Sequence, residues 1–378
     1  MVTNVKVRVT FLIENWVNVP LNVRVFELAK HLVKLGIRSY IYSLGLNLLS
    51  SPIPKIVKQK YVIYNDVRVR LIPNVYLGWR LGTFLAGCLL AGTLADGVII
   101  VKHPLIARVL HNINRRYILD YEDVLSLLNY SRRQFRDYYR NLRFEKFAYK
   151  NADLIITEND YLARYISNIC DDTKVDVIPN GVDLRLFSPN AVNVRPLFAG
   201  ERVVLGFVGK SVSLERTSIF FKCLKYISER NRNKMEVLLV GPFNSSAYQL
   251  IRKYIRQVNI TGYVPHPDVP RFIGMMDICL NPIIDFHFSR STKNLEYAAM
   301  GRPIVATDVP SNSFVKVSSC GLLSKPSAED FAKCIETLIE DPNLAVDLAK
   351  NGLRAVKNYD WRVLAEKYKS LLMKSSLV

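Results

Sequence analysis

Short apolar runs alternate with longer amphipathic segments along this chain, and the pattern occurs in both halves. The runs are rich in Val, Ile and Leu and alternate little with polar residues, as in Gly97–Val101 and Val203–Val208. Such runs are typical of parallel strands that are covered on both faces. Strands that alternate with helices predict helices packed on parallel sheets. The sequence therefore predicts an α/β fold with one parallel sheet in each half.

The individual elements follow from the same pattern. Strands are predicted at Lys6–Ile13, Ile37–Tyr42, Gly97–Val101, Tyr117–Asp120, Leu154–Thr157, Val175–Ile178, Val203–Val208, Glu236–Val240, Ile260–Tyr263, Ile278–Leu280 and Ile304–Thr307. Helices are predicted at Val23–Leu35, Leu105–Ile113, Arg132–Lys150, near Ile219–Glu229, and at Tyr248–Val258, Ala328–Ile339 and Leu344–Asn358.

The chain of 378 residues is long enough for two domains of about 100–200 residues each. The break between the two sets of strands falls near Arg185–Gly200, which contains prolines and shows no clear periodicity. We therefore expect an N-terminal domain over residues 1–188 and a C-terminal domain over residues 198–357. Residues 358–378 are expected to form a helix that packs back on the N-terminal domain.

The chain is strongly basic, with a formal net charge of +19. This charge suits nucleic acid, an anionic membrane surface or phosphorylated substrates. No nucleic-acid-binding motif is evident, so we expect no nucleic acid partner. The six cysteines have no zinc or redox spacing, which indicates a reducing compartment. The N-terminus alternates like a strand rather than a signal peptide, and the apolar region Phe84–Leu94 is too short to cross a bilayer. We therefore expect a cytoplasmic protein.

One helix start combines the features of an anion site. Ser289, Ser291 and Thr292 are all suitable N-cap residues, and Thr292 stands directly before the helix-forming run Asn294–Met300. Gly301 is placed to end that helix in the left-handed conformation. A helix start carries free N–H groups and a partial positive charge, and Lys293 adds a full one. Glu296 follows one turn later and can accept hydrogen bonds from a pair of hydroxyls. A phosphate at the helix start and a sugar diol one turn along together describe a nucleotide.

Several nucleotide and metal motifs are absent from the sequence. No G-x-G-x-x-G occurs, and Val204 stands where a Walker A loop ending at Gly209 and Lys210 needs glycine. No H-E-x-x-H occurs, and no two aspartates are separated by a single residue. We therefore expect no bound metal ion and no dinucleotide cofactor.

The motif K-x-x-E-Y-x-A-x-G-x-P-I-V, from Lys293 to Val305, resembles the donor-nucleotide signature of retaining GT-B glycosyltransferases, family 4 or group 1. Further segments resemble the same family in the expected order. Asp153–Thr157 resembles its "aDlvit" strand, Val177–Asp183 its "vIPNGVD" segment, and Gly206–Gly209 its glycine turn. The segment from Gly262 to Pro282 resembles the loop that flanks the nucleotide base.

The resemblance implies two Rossmann-like domains that face a central cleft. It also implies transfer of a sugar, with retention of configuration, from a nucleotide diphosphate sugar to a hydroxyl acceptor on a glycan, a lipid or a lipid-linked sugar. The implied mechanism is front-face attack, in which the departing phosphate takes the acceptor proton. The donor is a substrate, and no cofactor is implied.

The residues carried over from the family form a donor site. The donor-binding candidates are Gly209, Lys210, Arg216, Tyr263, Val264, Ser291, Thr292, Lys293 and Glu296. Lys210 and Arg216 stand where the family has an arginine and a lysine, with the two cations exchanged and offset by one residue. These two cations and His103 are the candidates for the catalytic step.

His103 follows the predicted strand Gly97–Val101 and precedes a proline, and it resembles the active-site histidine of the family. In that role it would lie at the interdomain cleft and contact the transferred sugar or the acceptor; the alternative is a surface histidine that begins a helix. Asp120 and Asp123 resemble the family's "D.hD" motif, although Asp123 equally suits a helix N-cap. Asn15 lies in the loop where the usual paired glycines are missing. Asn15, Asp120 and Asp123 are the acceptor-side candidates.

Phe288 stands where the full family motif has the first of two glutamates, near the sugar. This departure leaves the donor sugar open. It also motivates an alternative, a nucleotide-sugar-binding GT-B protein without transferase activity. A GT-B sugar epimerase is less favoured because the acidic residues of that family are not evident. A nucleic-acid-binding protein would rest on net charge alone.

The predicted helix Arg132–Lys150 carries two adjacent stripes. One stripe is basic and the other apolar: Arg132, Arg136, Arg140 and Arg143, beside Phe135, Tyr139 and Leu142. Aromatic rings beside arginines suit an anionic membrane surface. The alternative is an amphipathic helix whose charged face is merely solvated. The first interpretation predicts a cytoplasmic protein that attaches peripherally to the inner face of the membrane.

Overall fold

The computed structural model describes residues 7–13, 23–44, 61–64, 67–72, 88–122, 124–131, 133–171, 173–209, 218–284 and 291–374. The chain divides into two compact units. The first unit runs to Asn180 and includes the segment from Trp361 onward, and the second runs from Gly181 to Asp360. Each unit contains its own largely parallel sheet, so the predicted two-unit α/β fold is confirmed.

The described elements have the following bounds. The strands are β1 (Arg8–Ile13), β2 (Arg38–Leu44), β3 (Tyr61–Tyr64), β4 (Val67–Ile72), β5 (Val98–Val101), β6 (Ile118–Tyr121), β7 (Leu154–Thr157), β8 (Val175–Val177), β9 (Val203–Val208), β10 (Met235–Val240), β11 (Gln257–Ile260), β12 (Ile278–Asn281), β13 (Ile304–Thr307) and β14 (Gly321–Ser324). The helices are α1 (Val23–Lys34), α2 (88–94 as described), α3 (Pro104–Asn112), α4 (Leu125–Ser131), α5 (Phe135–Asn151), α6 (Asp160–Ile169), α7 (Ser218–Cys223), α8 (Glu229–Arg232), α9 (Ser245–Arg252), α10 (Val269–Ile273), α11 (Thr292–Ala299), α12 (Ser313–Ser318), α13 (Ala328–Glu340), α14 (Pro342–Ala355) and α15 (Trp361–Lys374).

The sheet of the first unit has the order β3-β4-β2-β1-β5-β6-β7-β8. β3 is antiparallel to β4, and the other described pairs are parallel. Helix α15 packs against α1 although it ends the described chain. Leu364, Tyr368 and Leu372 on α15 are fully buried among core residues that include Phe11 of β1. The last helix therefore belongs to the core of the first unit.

The sheet of the second unit has the order β11-β10-β9-β12-β13-β14, with all pairs parallel. The segment that we expected to link the domains packs on this unit. Val182 and Phe187 are buried in its core. The Arg195 N–H donates to the Gly274 carbonyl at 3.1 Å, and its guanidinium pairs with the buried Asp277. These contacts make residues 181–202 part of the second unit rather than a free linker.

The differences from the sequence prediction concern both helices and short strands. Helices α4, α6, α10 and α12 are absent from the prediction, and α5 begins at Phe135 rather than at Arg132. β11 was expected at Ile260–Tyr263 but forms at Gln257–Ile260, because Gly262 turns the chain with φ +71°. Strands β3, β4 and β14 are absent from the prediction. β4 alternates valine with arginine, and β14 is mostly half-buried, so neither reads as a buried apolar run.

In each sheet the strand order reverses beside the first strand of the unit, between β1 and β5 and between β9 and β12. Open parallel sheets bind ligands beyond the carboxyl ends of the strands at such a point. His103 comes shortly after β5, and Gly209 directly follows β9. The topology thus places both predicted residues at a ligand-binding edge of their own sheet.

Candidate functional site

The carboxyl end of β9 brings two predicted donor residues together. The amine of Lys293 lies 4.4 Å from the centroid of the Phe207 ring. A methyl group on Gly209 would lie 3.5 Å from this amine and closer still to Phe207. A side chain at Gly209 would therefore crowd the Phe207 ring, over which the lysine amine lies.

A second glycine, Gly241, lets the backbone at the end of β10 lie close to Gly209 at the end of β9. Gly241 follows β10 with φ +130°, and a side chain there would overlap the carbonyl oxygen of Gly209. The Gly209 N–H donates to the Val240 carbonyl at 2.9 Å. Glycine is required at position 241 both for its backbone conformation and for this contact. Two adjacent strand ends consequently present backbone rather than side chains beside Lys293.

Helix α11 begins at the same edge of the sheet. Of the three predicted N-cap candidates, Ser291 occupies the N-cap position, and Thr292 is the first helical residue. Ser291 Oγ accepts from Asn281 Nδ2 at 2.9 Å and makes no capping bond to the first turn. The Asn294 N–H donates to the Ser291 carbonyl at 3.3 Å, whereas the N–H groups of Thr292 and Lys293 have no partner among the described residues and can serve an anion. Gly301 ends the helix with φ +65°, as predicted.

Three buried asparagines attach the start of α11 to the sheet. Asn281 Nδ2, at the end of β12, lies 2.8 Å from the Oδ1 atoms of both Asn294 and Asn312. Asn294 Nδ2 donates to Asn312 Oδ1 at 2.9 Å, and Asn312 Nδ2 donates to the Thr307 carbonyl at 2.9 Å. We call these three residues the amide network. A shift of the helix would leave its buried polar groups unpaired, which is costly.

Tyr297 joins the same helix to β9. Its fully buried hydroxyl accepts from the Val208 N–H at 2.9 Å and donates to the Leu280 carbonyl at 3.5 Å. Helix α11 is therefore fixed to β9, β12 and β13 at once. The predicted motif residue Tyr297 acts as a structural contact of the site.

The pKa of Lys293 is lowered to about 8 because burial disfavours the charged amine and Glu296 only partly opposes that effect. A phosphate bound beside the amine would favour the protonated form and reverse the shift. The edge of the second sheet is thus electrostatically suited to a phosphate group.

Glu296 lies one turn into α11, as its spacing predicts. Its Oε1 atom lies 2.9 Å from Nε2 of His266, which begins a short 3₁₀ turn. Tyr263, before that turn, is 76% exposed, whereas Val264 is half-buried against the core of the unit. The contact between His266 and Glu296 was not predicted from the sequence.

Several predicted residues lie outside the described part of the chain, and their roles stay predictions. They are Asn15, Asp123, Lys210 and Arg216, together with Arg132 and Phe288. Among the described residues, no three or more His, Cys, Asp and Glu side chains are arranged to hold a metal ion. No helix in the described ranges has the length and apolar character that a bilayer crossing requires.

The first unit has a polar edge of its own. Helix α1, the ends of β5, β6 and β7 and the segment after β8 contribute charged and amide side chains there. These form what we call the ionic cluster: Arg24, Lys102, Asp120, Glu122, Glu158 and Asn180. The sequence prediction had found only Asp120 among them.

Arg24 links most of this cluster. Its Nε donates to both carboxylate oxygens of Asp120, at 3.0 and 3.1 Å. Its Nη1 donates to the Pro179 carbonyl at 3.0 Å and to Asn180 Oδ1 at 3.3 Å. Its Nη2 is buried and has no hydrogen-bond partner among the described residues. An unused donor on a buried guanidinium is a candidate contact for a polar ligand.

The remaining members meet around Glu122. Asn180 Nδ2 lies 3.2 Å from Glu122 Oε2 and 2.6 Å from Glu158 Oε2, and Lys102 pairs with Glu122. Burial disfavours charge on both members of this pair, but the neighbouring opposite charges outweigh it. The pKa of Lys102 therefore lies above its ordinary value and the pKa of Glu122 below its own. Both groups stay charged at neutral pH.

Asp120, predicted on the acceptor side, is fully buried. In addition to Arg24, it binds the hydroxyl of Tyr368 on α15, which donates to Oδ2 at 3.3 Å. Asp120 therefore holds Arg24 in place rather than offering an exposed oxygen. Its contribution to ligand binding would be indirect.

His103 is the N-cap of α3, and Pro104 follows as the first helical residue. The Nδ1 atom accepts from the Leu105 N–H at 3.1 Å. In a neutral imidazole with Nδ1 as acceptor, the proton lies on Nε2. His103 thus begins a helix, as the alternative interpretation expected. In this tautomer its Nε2 atom can donate a hydrogen bond to a ligand but cannot act as a base.

Helix α5 is anchored through its second half. Glu145 is buried and accepts from the Tyr121 hydroxyl at 2.6 Å and from the Ser126 N–H at 3.0 Å. Burial raises the pKa of Glu145 above its ordinary value, although these hydrogen bonds oppose the shift. The buried carboxyl fixes the orientation of the whole helix.

The first half of α5 carries exposed aromatic rings. Tyr130, from α4, has its ring centroid 5.9 Å from that of Phe135 and 5.4 Å from that of Tyr138. The Tyr138 centroid lies 4.9 Å from that of Tyr139. Phe135 is 52% exposed and Tyr139 is 64% exposed. We call these four rings the aromatic cluster; the exposed arginines on the same helix are Arg136, Arg140 and Arg143.

Some of the missed residues left a signal in the sequence. Arg24 lies four residues before Leu28 and eight before Leu32, so it is a charged residue on the apolar stripe of α1. Asn281 directly ends an apolar strand, where a polar side chain at a parallel-sheet edge indicates a site. His266 left no such signal, because its partner is thirty residues away in sequence.

Two family profiles match the chain. Residues 21–186 match the Glycosyltransferase Family 4 profile, and residues 202–341 match the Glycosyl transferases group 1 profile. Each profile falls mainly within one of the two units. Together they cover the ionic cluster, the amide network and the predicted donor residues.

Individual relatives are more distant. A Bacillus subtilis protein provisionally named as the teichuronic acid biosynthesis glycosyltransferase TuaH is 28% identical over 173 residues, which is 43% of this chain and 42% of that protein. The N,N'-diacetylbacillosaminyl-diphospho-undecaprenol alpha-1,3-N-acetylgalactosaminyltransferase of Campylobacter jejuni is 23% identical over 238 residues, 60% of this chain and 61% of its own length. The chain thus spans less than two thirds of the curated relatives it matches.

Solved structures share the fold. The Anabaena protein HepE, solved in complex with UDP-glucose, has a TM-score of 0.73 and 17% identity, covering 97% of this chain and 99% of that one. At this identity the likeness shows the architecture, which solved glycosyltransferases of the GT-B fold share. The profiles and the two Rossmann-like units together show that the chain belongs to the group 1, family 4 glycosyltransferases of the GT-B fold.

Proposed function

We propose that the protein is a retaining glycosyltransferase that moves a sugar from a nucleotide diphosphate sugar to a hydroxyl acceptor. One observation carries the proposal: the amine of the half-buried Lys293 lies beside Gly209 at the start of α11, where the N-cap residue Ser291 makes no side-chain bond to the first turn. Glu296 follows one turn later, at the spacing that a diphosphate and its ribose require. HepE, of the same fold, was solved with UDP-glucose, which supports a nucleotide sugar as the donor.

The donor would be held by fixed charges. The helix start of α11 and Lys293 bind the diphosphate, with Lys210 and Arg216 as further cations, and Glu296 binds the ribose. These groups stabilise the charge that develops on the leaving phosphate, and no divalent metal is needed for that role. Attack occurs on the same face of the sugar from which the diphosphate departs, and the departing phosphate takes the acceptor proton.

The acceptor is proposed to bind the first unit at the ionic cluster. Arg24 offers a donor that no described residue uses, and the charged pair of Lys102 and Glu122 is partly exposed, so this edge suits a ligand rich in hydroxyls. The Campylobacter relative is named for an undecaprenol-diphosphate-linked acceptor, which supports a lipid-linked hydroxyl here. An alternative is a nucleotide-sugar-binding protein without transferase activity, favoured by Phe288 at the first glutamate position. Transfer or donor hydrolysis by the purified protein would exclude this alternative.

A lipid-linked acceptor would bring the protein to a membrane surface, and we propose that the aromatic cluster docks there. Exposed rings suit the headgroup region, and Arg136, Arg140 and Arg143 complement anionic phosphates. Glu145 holds the helix firmly enough to present the rings together. The inner face of a cytoplasmic membrane is the proposed location.

The donor assignment predicts selective loss of nucleotide affinity in Glu296→Ala. Thermal-shift and calorimetric titration with UDP, GDP and ADP should identify one preferred nucleotide. In the variant its binding should weaken by about 1.5–3 kcal/mol, because a hydrogen bond to a charged group is lost. Glu329→Ala, an exposed glutamate on α13, should bind like the wild type. Equal affinities in wild type and Glu296→Ala would refute the assignment.

The lowered pKa of Lys293 predicts a pH-dependent affinity for the diphosphate. The protonated amine attracts the ligand, and the bound diphosphate raises its pKa, so binding takes up a proton above pH 8. Affinity should therefore be steady from pH 7 to 8 and fall by up to about tenfold per unit above it. Lys293→Met should bind more weakly and lack this decline. The same pH dependence of affinity in the wild type and in Lys293→Met would contradict the role of the amine in binding the diphosphate.

Metal independence is tested directly in the transfer assay. Turnover should be the same in EDTA and in added manganese or magnesium, because fixed cations neutralise the leaving group. Activity that EDTA abolishes and manganese restores would show that this part of the mechanism is wrong.

His103 is proposed to donate from Nε2 to the transferred sugar or the acceptor during the reaction. His103→Asn can keep the helix cap through its side-chain oxygen but loses the ring. It should lower kcat roughly ten- to a hundredfold with little change in nucleotide affinity, since the lost interaction belongs to the transition state. His103→Ala also loses the cap and should be less stable as well. Normal turnover in His103→Asn would assign the histidine to capping alone.

Membrane docking predicts co-sedimentation with vesicles of phosphatidylcholine and phosphatidylglycerol at low salt. Binding should fall as salt rises and in the triple variant Arg136→Gln, Arg140→Gln, Arg143→Gln, because cation–phosphate attraction is screened or removed. A control with the same charge change in the second unit is Lys316→Gln, Lys333→Gln, Lys350→Gln, all exposed. An equal loss of vesicle binding in both triple variants would indicate that the net charge of the protein attracts the vesicles and that α5 is not a docking surface.

A further inference from the structure

One contact in the second unit is not explained by the family signature. His266 Nε2 lies 2.9 Å from Glu296 Oε1, although the two residues come from different elements, a 3₁₀ turn after β11 and helix α11. Glu296 is mostly buried in its side chain, whereas His266 is about half exposed. The imidazole therefore covers one side of the carboxylate that we propose for the ribose.

The chemistry of the pair defines which atom donates. An ionised carboxylate only accepts hydrogen bonds, so the Nε2 atom of His266 must carry a proton. That bond occupies Glu296 Oε1 and limits rotation of the carboxylate about its last torsion, which is otherwise broad. Oε2 is then the oxygen left for a ligand hydroxyl.

The histidine is itself held in place. Its ring centroid lies 5.2 Å from that of Phe187 at an interplanar angle of 52°. Phe187 is fully buried in the core of the second unit. The core therefore supports the histidine, and the histidine in turn supports Glu296.

We infer that His266 is a positioning residue that orients the Glu296 carboxylate for the ribose and so determines discrimination between ribo- and deoxyribonucleotides. The inference rests on the proposed function, because it concerns the ribose of the proposed donor. Without His266 the carboxylate would have to be ordered by the ligand itself. The free-energy cost of that ordering would reduce the affinity gained from the ribose hydroxyls.

The test compares a ribonucleotide with its 2′-deoxy form. The probe is whichever of UDP, GDP and ADP binds the wild type most tightly, and its dissociation constant and that of the 2′-deoxy form are measured by calorimetry. We expect the wild type to bind the deoxy form about tenfold more weakly, the usual effect of losing one hydrogen bond to a charged group. Glu296→Ala should reduce that ratio to about one.

The histidine variants then isolate the positioning role. His266→Ala should reduce the ratio to below about threefold, because the carboxylate is no longer oriented. His266→Gln retains an N–H donor and should restore most of the ratio. In the double variant with Glu296→Ala, loss of His266 should have no further effect on the ratio, as expected for coupled residues. Asp268→Asn, in the same 3₁₀ turn, should keep the wild-type ratio.

The ratio of the two dissociation constants distinguishes a positioning role from general destabilisation. A destabilised fold would weaken the binding of both nucleotides alike. A wild-type ratio in His266→Ala, together with its loss in Glu296→Ala, would overturn the inference and leave the donor site intact. A ratio of one in the wild type would overturn it as well. If the wild type binds none of the three nucleotides, the proposed function fails, and the inference fails with it.

Discussion

The amide network is the interaction on which the second unit's site depends. Asn281, Asn294 and Asn312 lie out of contact with water, where an unpaired amide is destabilising. The hydrogen bonds among them join helix α11 to the end of β12 and to the segment after β13, although Asn281 Oδ1 has no partner among the described residues. Polar contacts of this kind are specific in direction, whereas apolar packing tolerates small shifts. Lys293 and Glu296 are carried on that helix, so their positions follow from the asparagines beneath them.

What could be predicted from the sequence was local. Lys293 and Glu296 are three residues apart on a short helix, and Gly301 fixes its end, so one window of sequence contains the whole arrangement. The glycine turn that follows β9 and ends at Gly209 could be predicted because its residues are also adjacent in sequence. Ser291 shows the limit of this approach, because its hydroxyl is committed to Asn281 and not to the helix that it precedes.

What could not be predicted depends on residues that are distant in sequence. Arg24 meets Asp120 across 96 residues, and Tyr368 meets the same carboxylate across 248. Neither contact follows from spacing or propensity. Burying such ions is expensive, and apolar residues of similar size would often be as stable. Their presence at a strand edge agrees with the acceptor-binding role proposed above, and α15 contributes to that edge through Tyr368.

The close approach of Gly209 and Gly241 has a consequence for engineering. A side chain at 241 would overlap the carbonyl oxygen of Gly209, and a methyl group at 209 would lie 2.9 Å from the Phe207 ring. Position 241 is therefore closed to substitution, and position 209 accepts a side chain only if Phe207 moves. Libraries intended to alter nucleotide choice should leave both fixed. Tyr263 is the more suitable position because it is largely exposed, whereas Val264 packs against the core of the unit.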